Sequence, residues 1–174
     1  DEIGAIGRRG RKGKLGIWFF GNDFGIQDGL MFSKEMFEEF FLPNIKKLSH
    51  HAHGYNLKVM MHSCGAIAEL IPLLAEAGVE ILDPVQVSAE GMDIKELKSG
   101  YGNDIVFHGG IDTQHVLPNA SPDEVYQHAI ETIKILGKKG GYIFAPSQIL
   151  DPRIPVENID AMYRAAREFK YSNF

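Results

Sequence analysis

The residues best suited to chemistry lie in Lys58-Val-Met-Met-His-Ser-Cys-Gly65, an apolar run that stops on a histidine and a cysteine two positions apart. In extended backbone, side chains at that spacing point to the same side. A neutral imidazole beside a thiolate supplies half of a zinc site, so His62 and Cys64 are candidate metal ligands. The alternative is a buried cysteine packed as a small hydrophobe next to a hydrogen-bonded histidine. Polar residues follow four further apolar runs: Asn22 and Asp23, Asp83 and Gln86, His108 and Asp112, Ser147 and Gln148.

The elements that position these groups follow from hydrophobic pattern. Continuous apolar runs predict strands over 15–20, 57–61, 79–82, 104–107 and 142–145, each of the kind buried on both faces. Helical stripes lie between them. Ser33 opens the first, with Met36, Phe37, Phe40, Phe41, Ile45 and Leu48 on one side and Pro43 as a kink or a split. It closes on His50, His51 and His53 before Gly54, which reads as a helix C-terminus favouring imidazolium rather than as a metal tract. Further helices are expected over 66–77, 93–98, from Ser121 and from Pro155. Ser121-Pro-Asp-Glu124 is a capping box with proline at the first helical position.

At 174 residues the chain can build one domain with a sizeable core. A net charge of −5 gives no electrostatic case for nucleic acid or an anionic membrane as partner. Arg8, Arg9, Arg11, Lys12 and Lys14, interleaved with glycine, run against that balance and read as a solvated loop, with a phosphate-binding arm as the alternative. A single cysteine excludes an internal disulfide framework and fits a reducing compartment. No apolar run has the length of a membrane span, and no signal-peptide pattern opens the sequence, so a soluble cytoplasmic protein is expected.

The predicted order βαβαβαβαβα calls for a parallel sheet with helices outside it. Polar residues at the C-terminal ends of the strands place the site on the rim of a (β/α)8 barrel, or at the switch point of an open sheet. No Gly-x-Gly-x-x-Gly follows a strand, which disfavours the dinucleotide fold. A barrel needs eight units, and this sequence offers five. The expectation is the C-terminal part of a larger barrel, with 1–14 as the end of a preceding helix plus a basic loop and 15–174 as the barrel portion.

Trp18-Phe-Phe-Gly-Asn-Asp-Phe-Gly-Ile-Gln27, His62-Ser-Cys-Gly65, Asp83-Pro-Val-Gln86, Phe107-His-Gly-Gly-Ile-Asp112 and Pro155-Val-Glu-Asn158 together resemble the uroporphyrinogen decarboxylase superfamily. The resemblance spans residues 15–169 and implies a (β/α)8 fold. It leaves two branches. One comprises cofactor-free decarboxylases of uroporphyrinogen III. The other comprises zinc-dependent methyltransferases that move methyl groups between a corrinoid protein and a thiol or similar acceptor. His-x-Cys-Gly resembles the methyltransferase branch, implying zinc at His62 and Cys64 and a corrinoid protein as partner. That branch carries another cysteine after the last strand, and the decarboxylases a histidine. Here the position is Gln148, in Ala145-Pro-Ser-Gln148.

A further zinc donor would come from Asp23, Asp112 or His108, or from the expected N-terminal half of the barrel. Asp23 could instead cap its turn, His108 bond backbone, and Asp112 orient a ligand. The resulting expectation assigns Asp23, Asp112 and Gln148 to catalysis. It assigns Asn22, Gln86, His108 and Ser147 to binding a small-molecule substrate, with a hydrogen bond to rim backbone as the alternative for Gln86. A non-catalytic tetrapyrrole- or corrinoid-binding module is a further reading. An open sheet of this kind is also expected to pair its edges with another copy, as a homo-oligomer.

Overall fold

The computed structural model describes residues 15–170, so the expected N-terminal helix end and basic loop lie outside the described residues. Five parallel strands form one sheet in the order β1, β4, β5, β6, β7: Ile17–Gly21, Lys58–His62, Ile81–Val85, Val106–Ile111 and Tyr142–Pro146. Each is followed by helix, giving the α/β architecture of five consecutive barrel-type units. The short strands β2 (Gly25–Ile26) and β3 (Gly29–Leu30) pair separately as an antiparallel ribbon that the sequence pattern did not announce.

Helix α1 (Lys34–Met36) is capped by Ser33, whose hydroxyl accepts from Met36 N at 3.3 Å. It passes through a π-helical turn, Phe37–Phe41, into α2 (Leu42–His53). Pro43 therefore sits in the first turn of α2, where its missing N–H is harmless, and the expected split is present. His50, His51 and His53 occupy the last turn before Gly54, as anticipated. The helix after β4 is shorter than expected. A 3₁₀ turn, Ala68–Leu70, leads to α3 (Ile71–Glu76), because Pro72 fits only the first turn of an α-helix.

Two strands are displaced from their expected positions by the helices before them. Val79 N–H still closes on Leu74 O at 3.0 Å, so β5 begins at Ile81 and carries Asp83 inside it. Ile105 N–H closes on Tyr101 O at 3.1 Å after α4 (Ile94–Tyr101), so β6 begins at Val106 and runs through His108 to Ile111. A four-residue helix α5 (Val116–Asn119) was likewise unforeseen. Helix α6 (Pro122–Leu136) starts on the predicted capping box, with Ser121 Oγ accepting from Glu124 N and Glu124 Oε2 accepting from Ser121 N. The last helix, α7, covers Val156–Glu168.

Helices pack on one face of the sheet. Trp18, Val59, Met61, Leu82 and Phe107 point into that layer and are buried with α2, α3 and the aromatic group Phe24, Phe37 and Phe41. A second cluster, Ile111, Leu117, Val125, Ala129, Met162 and Ala165, joins α5, α6 and α7. The other face follows from alternation and register. Gly21 pairs with His62 and His62 with Asp83; Leu82 pairs with Phe107, which sets His108 beside Asp83; His108 pairs with Ile143. Gly21, His62, Asp83, His108 and Ile143 thus form one lateral row. Phe19 lies one level below and is 55% exposed.

Candidate metal centre and active site

Three side chains converge where β1 and β4 end. One donor atom each from Asp23, His62 and Cys64 lies within 4.8 Å of the other two. Asp23 Oδ1 accepts from Cys64 N at 3.2 Å, lies 3.4 Å from Cys64 Sγ, and stands 3.6 Å from His62 Nε2. The oxygen, nitrogen and sulfur set is of the type zinc accepts.

Backbone crossing places these groups together. Gly65 has φ +87°, and a Cβ there would meet Gly25 C at 2.5 Å. A Cβ on Gly25 would in turn meet Cys64 O at 2.9 Å. Only glycine at both positions lets the loop after β1 lie against the loop after β4. The crossing is held by Ala66 N–H donating to Ile26 O at 2.8 Å and Phe24 N–H donating to the buried Ser63 hydroxyl at 3.1 Å. Phe24, next to Asp23, is anchored by edge-to-face packing on Phe37 and Phe41. Asp23 is thereby brought to Cys64 by its neighbours on both sides.

The imidazole of His62 is oriented by Asp83, whose Oδ2 lies 2.7 Å from Nδ1. That leaves Nε2 as the nitrogen facing Asp23 and Cys64. The other oxygen of Asp83 lies 2.5 Å from His108 Nδ1. One carboxylate therefore stands between two imidazoles.

Electrostatics follow from these contacts. Burial pushes the Asp83 carboxyl up, but contacts with His108 and His62 outweigh it and hold the pKa at about 2. The hydrogen bond to Asp83 raises the pKa of His62, against the opposing effect of burial. Burial, then the neighbouring Asp23 carboxylate, raises the Cys64 thiol above its ordinary value. Without a cation the sulfur is thus held as a thiol, and metal uptake there requires its proton to leave.

The remaining expected site residues differ in their partners. Gln148 lies beside the Cys64 thiol and favours its ionised form. Asn22 donates its backbone N–H to His62 O at 3.1 Å. Gln86 is buried, accepts from Gly65 N at 3.0 Å and donates to Gln27 Oε1 at 3.2 Å, so its amide braces the glycine turn. Ser147 is buried and donates to Val85 O at 2.8 Å. Asp112 stands apart from the three-donor cluster: its Oδ1 accepts from Gln114 N and His115 N, at 2.7 and 2.9 Å, ahead of α5. His108 meets a carboxylate rather than backbone. By sequence Asp83 is only a strand-end residue, and the register that puts it between two histidines is what reveals its place.

A parallel sheet clad by helices, with polar side chains gathered at its C-terminal strand ends, defines a (β/α)-barrel-type protein with its candidate site on the rim. The family model described as Uroporphyrinogen decarboxylase (URO-D) matches residues 24–169. The chain belongs to the uroporphyrinogen decarboxylase family. Curated relatives include a methylated-thiol–coenzyme M methyltransferase of Methanosarcina mazei, 26% identical over 142 residues, covering 79% of this chain and 34% of that protein. A uroporphyrinogen decarboxylase of Coxiella burnetii is 27% identical over 81 residues, 47% of this chain and 22% of that protein. Among solved structures, a methyltransferase from Methanosarcina mazei superposes with a TM-score of 0.71 at 20% identity, over 91% of this chain and 44% of that one. The chain thus spans about a third of the curated methyltransferase it matches. Among the described residues, no helix is long and apolar enough to cross a membrane.

Proposed function

We propose that the protein acts in the methyltransferase branch of its family, moving a methyl group between a corrinoid carried by a partner protein and a small thiol or similar acceptor. The observation that carries this reading is the convergence of Asp23, His62 and Cys64 on one point at a strand end. His62 would bind zinc through Nε2, Cys64 through Sγ and Asp23 through a carboxylate oxygen, with Asp83 fixing the imidazole from behind. Zinc bound there would lower the pKa of an acceptor thiol and so raise its thiolate fraction at neutral pH. In this reading Asp23 takes the part expected of a ligand at position 148, and Gln148 beside the sulfur is not itself a ligand. The similarity to a methylated-thiol–coenzyme M methyltransferase supports a thiol as acceptor.

Metal analysis of the purified full-length protein tests this directly. Near-stoichiometric zinc is expected, lost in Cys64→Ala. Full zinc retention in that variant would remove Cys64 from the ligand set. The second reading, uroporphyrinogen III decarboxylation, is supported by the similarity to the Coxiella burnetii decarboxylase. It requires tetrapyrrole turnover that persists in chelator, which the methyltransferase reading excludes.

A further inference from the structure

At the far end of the sheet from His62 and Cys64 lies a second concavity. Helix α4 leads into β6 and α6 leads into β7, so the C-termini of both helices sit by the N-terminal ends of those strands. Between them runs a groove of about 520 Å³, lined by Lys95 and Lys98 from α4 and by Lys134, Lys138 and Lys139 from α6 and the turn beyond it. Ser99 and Asn103 add a hydroxyl and an amide to the same wall. Five lysines line this groove in a chain whose net charge is −5.

Little within the described residues neutralises them. Lys134 Nζ lies 3.9 Å from Glu131 Oε1, an exposed pair at the limit of an ion pair. Lys98 Nζ donates to a neutral acceptor, Gly140 O, at 2.6 Å. Among the described residues, Lys95, Lys138 and Lys139 have no carboxylate at ion-pair distance. Burial alone lowers the pKa of Lys98.

Cations at helix C-termini are ordinarily explained by the helix dipole, which covers Lys98 and Lys134. It does not cover Lys95, which sits in the first turn of α4, where the dipole repels a positive charge. Nor does it cover Lys139, which holds φ +62°, a conformation better suited to glycine. Like charges at Lys95 and Lys98, one turn apart, also repel. Gly102 makes room for the stem of Lys98: a Cβ there would meet Lys98 Cδ at 2.7 Å. The placement of Lys95 and its repulsion with Lys98 oppose local stability, and a bound polyanion would relieve both.

We infer that this groove between α4 and α6 is a binding site for a compact polyphosphate group, of two or three linked phosphates. Lysines on two facing walls suit several charges held close together, whereas a single carboxylate would satisfy only one wall. The site is independent of the metal centre and of the reaction proposed for it.

The test is calorimetric titration of the full-length protein with sodium tripolyphosphate at low ionic strength. Saturable one-to-one binding is expected, weakened about tenfold or more in a Lys98→Gln, Lys134→Gln, Lys138→Gln variant. It should be unchanged in Lys46→Gln, which lies on α2. A Lys139→Gly variant guards against misfolding as the cause: relief of its backbone should raise the melting temperature while binding weakens. Absence of saturation, unchanged affinity in the triple variant, or tighter binding of polyglutamate than of tripolyphosphate would each overturn the assignment, the last by pointing to an acidic protein partner.

Discussion

Asp83 Oδ2 lies 2.7 Å from His62 Nδ1, joining neighbouring strands at the level where a metal ligand is proposed. A carboxylate behind an imidazole fixes its tautomer and its direction. Because the Asp83 pKa is held at about 2, this partner stays ionised throughout the neutral range. Asp83→Asn is expected to lower zinc affinity roughly 10–100-fold while leaving the circular dichroism spectrum intact. Competition with a chromophoric chelator measures it, and unchanged affinity would mean that packing alone orients His62.

Asp23 and Cys64 can be told apart by cobalt substitution. A cobalt-loaded protein should show thiolate-to-metal charge transfer that survives Asp23→Ala and disappears in Cys64→Ala, because only one of the two supplies sulfur. Metal affinity should fall in both. Wild-type affinity in Asp23→Ala would show that the third donor comes from elsewhere.

Gly65→Ala should be among the most damaging single substitutions in this chain. The added Cβ would stand 2.5 Å from Gly25 C, in a backbone held at φ +87°. A loss of about 3 kcal/mol in urea unfolding is expected. Loss of zinc should accompany it, since the same crossing brings Asp23 to Cys64. A stability within experimental error of wild type would show that the two loops can separate freely.

His128 on α6 sets one part of the pH dependence. Burial lowers its pKa, partly offset by the Asp112 carboxylate, and its Nε2 is buried without a hydrogen-bond partner among the described residues. The unfolded chain therefore binds this proton more readily than the folded one. The contribution is fully present above the unfolded value of about 6.5 and is lost as pH falls below it. His62, with a raised pKa, slopes the other way, so the comparison must be made within a variant pair. His128→Gln should lose less stability than wild type between neutral and mildly acidic pH, read from urea midpoints. Parallel curves for the two proteins would contradict it.

Much of this arrangement was readable from residue types. Unbroken apolar runs ending on His62, Asp23 and Gln148 reported both the strands and the rim, and Ser121 with Glu124 marked a helix start that the structure reproduces. Asp83 was harder to place, because strand β5 starts two residues later than its apolar run suggests. The N–H of Val79 is still occupied by Leu74 O, and no property of valine announces that. Ser147 looks like a binding residue by type alone, and the type of Gln86 suits either substrate or rim backbone. The Gln86 and Ser147 side chains satisfy Gly65 N and Val85 O, backbone groups left over at the sheet rim whose need depends on tertiary geometry. Asp112 is similar, since the short helix it precedes has too few residues to show periodicity.

The lateral row of His62, Asp83 and His108 has a bearing on how the molecule folds. These residues are far apart in sequence and meet only when β4, β5 and β6 pair in the native alignment. A slip of one residue in any strand would turn its member of the row into the helical layer and bring an apolar neighbour, such as Met61 or Leu82, onto the bare face. The site thus serves as a register gauge for the middle of the sheet. By mass action, a cation held at His62 would favour correctly paired chains over slipped ones. Metal supply during refolding should then change the yield of native protein as well as its activity.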